Sequence, residues 1–241
     1  MLVYLVDISR GVCVFAMIIY HFYWDLGYFG FIDLRVVTQG LGLFLAQLIG
    51  LSFITIAGIS SRLLHLSNSC KSKIMKRIFR LMTISIAISI LTFILDKTNF
   101  IFFGILHFLS VCSIISLILI KIKSNLQLFF IFLVTGLISI SEITFNIPFI
   151  FSWIGFNKQL PLTNDFYPII PWITFYFFGF WLGGIINKIP NKKYKNPSNN
   201  DPEHSLVLKL IEYVGRKSLI IYILHQPLLF SLFFIYLQLI S

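Results

Sequence analysis

Long apolar stretches recur from one end of this chain to the other, and they limit what it can fold into. Seven of them lie near 8–31, 40–62, 77–95, 100–120, 126–143, 168–187 and 217–240. Each approaches the ~20 residues that a helix needs to cross a bilayer. Hydrophobic residues make up 58% of the chain and charged residues 12%, which leaves little for a soluble domain. The sequence therefore predicts an all-α polytopic transmembrane bundle of about seven spans, with residues 1–241 forming a single integral membrane domain.

Two connecting segments differ from the apolar stretches. The segment 144–167 is aromatic and contains Pro148, Gly155 and Pro161, which interrupt helices. It is predicted to be interfacial or re-entrant, with its backbone covered by protein or water. The segment 188–204 is polar and rich in Pro and Asn, and it is predicted to be a flexible cytoplasmic loop.

The distribution of Lys and Arg predicts the orientation, because short loops rich in these residues stay on the cytoplasmic side. With seven spans and a cytoplasmic N-terminus, 16 of the 19 basic residues fall on the inner face, leaving Arg35, Lys97 and Lys158 outside. The loops alone thus explain the net charge of +10, and no nucleic-acid partner is expected. We predict a multi-pass protein of the cell (plasma) membrane with its N-terminus inside.

Four ionisable side chains in or beside the first apolar stretch share one face of the predicted helix. At about 100° per residue, Asp7, Arg10, His21 and Asp25 fall within about 60° of one another. Arg10 and His21 lie ~16 Å apart along this face. Charged groups inside a bilayer are costly unless they face protein or water, so the stripe predicts a polar cavity. The alternative is structural: an Asp7–Arg10 ion pair and a His21–Asp25 pair that hold helices together.

Within this stripe, His21 is the best candidate for chemistry. Imidazole transfers protons near neutral pH, and Asp25 lies one turn later, where a carboxylate can orient the ring and raise its basicity. His21 is therefore predicted to act as a general base or as a transient nucleophile. A metal site formed by His21, Asp25 and His107 stays open, although the spacing is not that of a zinc site and no metal is expected.

Two more histidines lie in apolar surroundings. Counting the helical rise from the ends of the stretches places His107 at the depth of His21 and His225 at a different depth. Each of them, taken alone, is more simply explained by a hydrogen bond between helices. The sequence contains none of the motifs for phosphate loops, dinucleotide binding, zinc proteases or serine hydrolases.

Several motifs, taken in order, resemble a known family. The segment DISRGVCVFAMIIYHF, in which ten residues separate Arg10 from His21, resembles the N-terminal signature of membrane acyltransferases of the acyltransferase-3 type. Over most of its length the chain is more similar to the catalytic domain of heparan-α-glucosaminide N-acetyltransferase and its short prokaryotic relatives. That similarity rests on YHFYWDLGYFG, FITIAGISSRL, FGILHFLSVCSIISL, DFYPIIPWITFYFFGFWLGG and VGRKSLIIYILHQPLLF.

The resemblance implies an enzyme that passes an acetyl group from cytosolic acetyl-CoA, its donor substrate, across the membrane. The acceptor would be an amine or hydroxyl on the far side, commonly of a sugar such as glucosamine. The predicted outer loops are short, however, and the large luminal part of the lysosomal enzyme is missing from this sequence. The acceptor is therefore left open between a glycan, a lipid-linked sugar and a small amine.

The same resemblance suggests roles for individual residues. His21 matches the catalytic histidine, and His107 lies in the matching GILH segment, where it would donate to the developing oxyanion; with Asp25 these two form the predicted catalytic set. The predicted donor-binding residues come from two motifs, that of the first span and that of the second, where Gly58 also lies. They are Asp7, Arg10, Ser61 and Arg62.

Two other functions compete with acyl transfer. A chain of acidic, basic and histidine side chains along a span is also how proton-coupled transporters move protons, although no internal repeat is visible in the sequence. A non-catalytic membrane scaffold would use the stripe for packing. The partners predicted for the enzyme are the lipid bilayer, acetyl-CoA and the sugar or amine acceptor. Its oligomeric state, monomer or homodimer, is left open.

Overall fold

The computed structural model of the chain describes residues 2–66, 70–119, 122, 124–141, 143–159, 161–188 and 206–240. Apart from Lys188, the predicted loop 188–204 lies outside these residues, so its flexibility and its side of the membrane remain predictions. Within the described part, regular structure is helical, with isolated bridges in place of strands. The all-α prediction is therefore confirmed.

All seven predicted apolar stretches form helices. The helices are α1 Leu2–Tyr28, α2 Arg35–Thr38, α3 Gly40–His65, α4 Cys70–Leu95, α5 Ile105–Leu119, α6 Asn125–Ile140, α7 Ile169–Ile186, α8 Leu206–Arg216 and α9 Ser218–Ile240. Five of them, α1, α3, α4, α7 and α9, are long and apolar enough to cross a membrane. The remaining two apolar helices, α5 and α6, are 15 and 16 residues long, which at 1.5 Å per residue gives about 22–24 Å.

Two helix boundaries differ from the sequence prediction. The first helix begins at Leu2 rather than near residue 8, because no proline or glycine precedes Gly11. The short helix α8 was not predicted, since its 11 residues are too few and too charged for a span. Its apolar and polar residues nevertheless separate onto two faces, as in a helix that packs on one side.

The chain divides into two compact units. The first contains Met1–Phe53 and Pro190–Ser241, and the second contains Ile54–Ile189. The first and last helices of the sequence therefore belong to one unit, although nearly the whole chain separates them. That residues 1–241 act as a single membrane domain remains a prediction.

In the first unit, α1 packs against both α8 and α9. Where α8 crosses α1, a Cβ on Gly11 would overlap the backbone of Ile211, and a Cβ on Gly215 would overlap the carbonyl of Asp7. Moving from Ile211 to Gly215 along α8 thus leads back from Gly11 to Asp7 along α1, so the two helices are antiparallel. Glycine is required at both positions for this close backbone approach.

The helices α1 and α9 run in the same direction, with contacts that advance along both. Near the middle of this interface, Asp25 is hydrogen-bonded to Gln226. Further along, the ring of Phe29 packs against those of Phe230 and Phe233 at centroid distances of 4.8 and 5.4 Å. Such aromatic pairs add to the apolar area buried between the helices.

In the second unit, the C-terminal half of α3 lies directly against α7. A Cβ on Gly58 would overlap the carbonyl oxygen of Tyr176, and one on Gly179 would overlap the carbonyl oxygen of Thr55. Small residues at such a crossing let two membrane helices approach to backbone contact. This crossing holds the polar end of α3 against α7.

The connector 144–167 is irregular in its described part, as predicted, and several of its backbone N–H groups there are hydrogen-bonded. It contains a 3-10 helix at Phe149–Ile154. The backbone N–H groups of Asn164 and Tyr167 donate to the carbonyls of Asn99 and Phe103, at 3.1 and 3.0 Å. Irregular backbone at membrane depth needs such cover, which is what an interfacial or re-entrant segment requires.

Outside the spans, the turn after α4 is organised by one carboxylate. Hydrogen bonds from the side chains of Thr98 and Asn99 lower the pKa of Asp96 from its ordinary 3.8 to about 2. The carboxylate accepts from the Thr98 hydroxyl at 2.6 Å and from the Asn99 amide at 2.9 Å. These bonds favour the ionised form, so their contribution to the turn is complete above pH 3.8 and is lost as the pH falls toward 2.

We expect Thr98→Ala to raise the pKa of Asp96, because the variant removes the largest of the stabilising hydrogen bonds. The measurement is a titration of the Asp96 side-chain carboxyl ¹³C shift by NMR. As an internal control, the pKa of Asp33, which the Arg35 side chain lowers, should be the same in both proteins. An unchanged midpoint for Asp96 in the variant would contradict this account.

Candidate active site

At one end of the predicted stripe on α1, Asp25 belongs to a group of buried polar side chains in the first unit. Asp25 is fully buried, and its Oδ1 atom accepts a hydrogen bond of 2.7 Å from Nε2 of Gln226 on α9. The structural alternative had paired Asp25 with His21, one turn earlier, but the carboxylate is bonded to Gln226. Orientation of the His21 ring by Asp25 is therefore still a prediction.

His225 lies beside His21, and this corrects the depth that the sequence predicted for it. The two rings meet edge to face, with a centroid distance of 4.8 Å and an interplanar angle of 61°. Counting from the start of each apolar stretch had assumed that all helices begin at one level. The ring contact shows that they do not, because His225, near the start of α9, lies at the level of His21, which is far from the start of α1.

Three buried polar atoms around these histidines have no hydrogen-bond partner among the described residues. They are Oδ2 of Asp25, Nε2 of His225 and Oε1 of Gln226. His225 is 7% exposed, and Asp25 has no exposed surface. Leaving buried polar atoms unpaired costs free energy, so such atoms in a native protein indicate a water molecule or a ligand.

Nearer the start of α1, Asp7 and Arg10 form the ion pair that the structural alternative foresaw. Nη1 of Arg10 lies 2.8 Å from Oδ1 of Asp7, which is largely buried. A second guanidinium, that of Arg216 on α8, approaches the other oxygen of Asp7 at 3.7 Å. Arg216 is itself paired with Glu212. The stripe thus separates into an ion-pair end and a histidine end.

The second-span motif places a buried cation in the second unit. Arg62 is 6% exposed, and its guanidinium lies 5.3 Å from the ring centre of Phe180. It donates to the carbonyl of Ile122 at 3.3 Å and to the side-chain oxygen of Asn125 at 3.4 Å. These acceptors are neutral and the bonds are long. Within the described residues, no carboxylate balances this charge.

Three further groups belong to the same end of α3. Nη1 of Arg77 donates to the hydroxyl of the buried Ser61 at 2.9 Å. The ring of His65 meets Phe180 edge to face, at 5.0 Å, and both of its nitrogens lack partners in the described part of the chain. Nε of Arg62 also lacks a partner there. We call Ser61, Arg62, His65 and Arg77 the basic cluster.

His107, also in the second unit, has both ring nitrogens engaged. The backbone N–H of Gly104 donates to Nδ1 at 3.3 Å, so that nitrogen carries the lone pair. Nε2 therefore bears the proton and donates to the hydroxyl of Ser89 at 3.0 Å, which in turn donates to the Ile101 carbonyl at 2.7 Å. To donate to an oxyanion, Nε2 of His107 would have to give up its hydrogen bond to Ser89.

The GILH segment around His107 is fixed by a residue that the sequence analysis did not select. Oδ2 of Asp165 accepts from the backbone N–H of Ile105 at 3.0 Å, at the first turn of α5. A Cβ on Gly104 would overlap this carboxylate. The glycine of this motif thus makes room for an acidic group at a helix N-terminus, where it is favourable.

A family model described as heparan-alpha-glucosaminide N-acetyltransferase, catalytic, matches residues 3–227. The chain belongs to this family. Among curated proteins and among solved structures, no match was found. The match contains every site residue discussed above, from Asp7 to Gln226. The resemblance recognised in the sequence motifs is therefore confirmed.

Membership in this family indicates that the chain is a membrane acetyltransferase. Enzymes of the heparan-α-glucosaminide N-acetyltransferase type use acetyl-CoA as donor. Membership does not assign roles to individual residues. Among the described residues, no group of three or more His, Cys, Asp or Glu side chains is arranged to hold a metal ion. The absence of a metal remains a prediction, because this finding concerns only the described residues and only groups of three or more such side chains.

Sequence reasoning placed His21 and Asp25 together but missed their partners on α9. His225 had been set at another depth, and Gln226 had not been considered. A signal was present, since the dipeptide HQ interrupts an apolar run of the last span directly before Pro227. Polar residues inside a span usually face a protein interior or a cavity.

Proposed function

We propose that this chain moves an acetyl group from cytosolic acetyl-CoA to an amine or hydroxyl on the extracytoplasmic side, such as that of glucosamine. His21 is the base that deprotonates the acceptor, or it carries the acetyl group itself. The supporting observation is the buried group around His21, where Asp25 and His225 each present an unpaired acceptor atom. A substrate bearing N–H or O–H groups supplies the donors that these atoms lack.

A donor that carries phosphates needs cationic ligands, and each unit contains a candidate. In the second unit, the basic cluster contains a buried guanidinium with no carboxylate partner among the described residues. An unbalanced buried charge is costly, and an anion relieves that cost. In the first unit, Arg10 is paired with Asp7, so it is the weaker candidate for a phosphate contact.

In this proposal the chain crosses the membrane seven times with its N-terminus inside. The parallel packing of α1 and α9 supports an odd number of crossings. With α5 and α6 as short spans, the loops rich in Lys and Arg all lie on the inner side. Impermeant labelling of Lys71→Cys and Lys97→Cys in a cysteine-free background tests it, since only position 97 should react from outside.

The test of the function is acetyl transfer by the purified full-length chain in liposomes. Radiolabelled acetyl-CoA is supplied on the side that labelling identifies as cytoplasmic, and glucosamine on the other side. We expect labelled N- or O-acetylated sugar to accumulate with the acceptor, together with one free CoA for each transfer. Flux of a solute without release of CoA would favour the proton-coupled transporter and overturn the acetyltransferase proposal.

Arg62→Ala is expected to raise KM for acetyl-CoA by at least about tenfold, since a lost charge-assisted phosphate contact is worth about 1.5–3 kcal/mol. Acetyl-pantetheine, which lacks the nucleotide phosphates, should be used equally well by the variant and the parent protein. That comparison separates a phosphate contact from damage to the fold. Lys71→Ala, which changes an exposed residue outside the basic cluster, is the matched control. Equal losses with both donors would show that Arg62 acts structurally.

A further inference from the structure

His225 is held in one tautomer by its own helix. Its Nδ1 atom lies 2.7 Å from the carbonyl oxygen of Tyr222. A carbonyl oxygen only accepts hydrogen bonds, so Nδ1 carries the proton and donates it. The lone pair of the neutral ring is then on Nε2, the atom that is buried and has no partner in the described chain. His225 is thus oriented as a base, by the kind of hydrogen bond that fixes catalytic histidines.

The ring next to this prepared base is His21. Their centroids are 4.8 Å apart, so the two imidazoles are in contact. Both proposed routes of acetyl transfer leave His21 with positive charge, either by protonation or by acetylation of one ring nitrogen. In a site with little water, a charge on one ring is costly unless a neighbour shares it.

We propose that His225 is the proton-sharing partner of His21 during acetyl transfer, which rests on the function proposed above. If His21 is the base, it takes the proton of the acceptor as the new bond to the acetyl carbon forms and the carbon–sulfur bond breaks. If His21 is the acetyl carrier, its own N–H becomes acidic as the acetyl–imidazole bond forms and the carbon–sulfur bond breaks. In both cases the proton passes to Nε2 of His225 and from there to the CoA thiolate. On the carrier route the acceptor then attacks the acetyl carbon, the acetyl–imidazole bond breaks, and the proton of the acceptor restores the N–H of His21.

The residue after His225 forms a hydrogen bond to Asp25, which lies one turn beyond His21 on α1. Gln226 donates to Oδ1 of Asp25, which fixes the carboxylate of α1 against α9. One turn of α9 therefore supplies both the second imidazole and the group that positions Asp25. Immediately beyond it, Pro227 has no N–H to donate, so one hydrogen bond of the helix is missing next to this turn.

The experiment compares His225→Gln and His225→Ala with the parent chain, each purified at full length and assayed with labelled acetyl-CoA and glucosamine. We expect kcat to fall at least tenfold while KM for acetyl-CoA stays within twofold. Added imidazole should restore part of the kcat of His225→Ala, since it can occupy the space of the lost ring. Ser231→Ala, on an exposed turn of the same helix, serves as the matched control and should keep the parent kcat.

A spectroscopic measurement gives an answer even if the variants fold poorly. In ¹⁵N-histidine-labelled parent protein, NMR should show His225 with the proton on Nδ1 and the lone pair on Nε2. The opposite tautomer would overturn the proposal. It would also be overturned by a kcat for His225→Gln within twofold of the parent. If His21→Ala is inactive at the same time, the acetyltransferase function stands and only the role of His225 fails.

Discussion

His21→Ala is expected to reduce kcat for acetyl transfer by about 10²–10⁴, the range over which a positioned acid or base contributes. The variant removes the ring that contacts His225, so neither deprotonation of the acceptor nor formation of an acetyl–imidazole can occur there. The measurement is release of CoA and labelled product by purified protein in liposomes. Binding of acetyl-CoA should survive, because no donor phosphate contact has been removed.

The control for this variant is His204→Ala, which changes a histidine of the predicted cytoplasmic loop and should leave kcat unchanged. Undiminished transfer by His21→Ala would contradict the role of His21 as base or acetyl carrier. Rapid denaturation at neutral pH without acceptor, which preserves an acetyl–imidazole, then separates the two chemistries. Label that remains on the parent protein and is absent from His21→Ala indicates an acetyl carrier, and a parent protein without label indicates a base.

Gly179→Ala should cause a large loss of stability in the second unit. Its Cβ would overlap the carbonyl oxygen of Thr55, which is backbone and cannot rotate away. Relief requires α7 and α3 to separate along their whole crossing, so we expect a cost of at least ~3 kcal/mol, at the upper end for overpacking. The measurement is the thermal unfolding midpoint and the monodisperse yield in detergent.

Gly136→Ala is the matched control for this substitution, since it adds the same methyl group to another apolar helix of the same unit. There the nearest atom, Cγ2 of Thr174, would be 3.6 Å away, an ordinary contact. Alanine also favours a helix over glycine by up to ~1 kcal/mol, so this variant should be as stable as the parent or slightly more stable. Equal unfolding midpoints for the two variants would contradict the close crossing of α3 and α7.

Local patterns in the sequence were enough to predict the helices. Hydropathy over about 20 residues reports on the segment itself, so all seven apolar stretches became helices. The number of crossings was harder to predict, since 15 and 16 residues are marginal lengths for a span. Helix α8 was not predicted from hydropathy, because its apolar face is short and its other face is charged.

Only the part of the candidate site that lies on α1 could be predicted from the sequence. Periodicity placed His21 and Asp25 on one face of α1, because that relation depends on a single helix. Their partners depend on how α9 lies against α1, and no local pattern encodes that offset. His225 and Gln226 were therefore missed, as were Ser89 and Asp165 around His107. Such long-range contacts follow from packing that periodicity does not report.

The pairing of α1 with α9 also has a consequence for biosynthesis. The hydrogen bond between Gln226 and Asp25 joins residues 201 positions apart. A ribosome inserts α1 long before α9 exists, so the buried carboxylate and His21 spend most of translation without their partners. Under the mechanism proposed above, the chain therefore stays inert until α9 has left the translocon, and a stop codon anywhere before α9 is expected to yield a chain without the contact between His21 and His225.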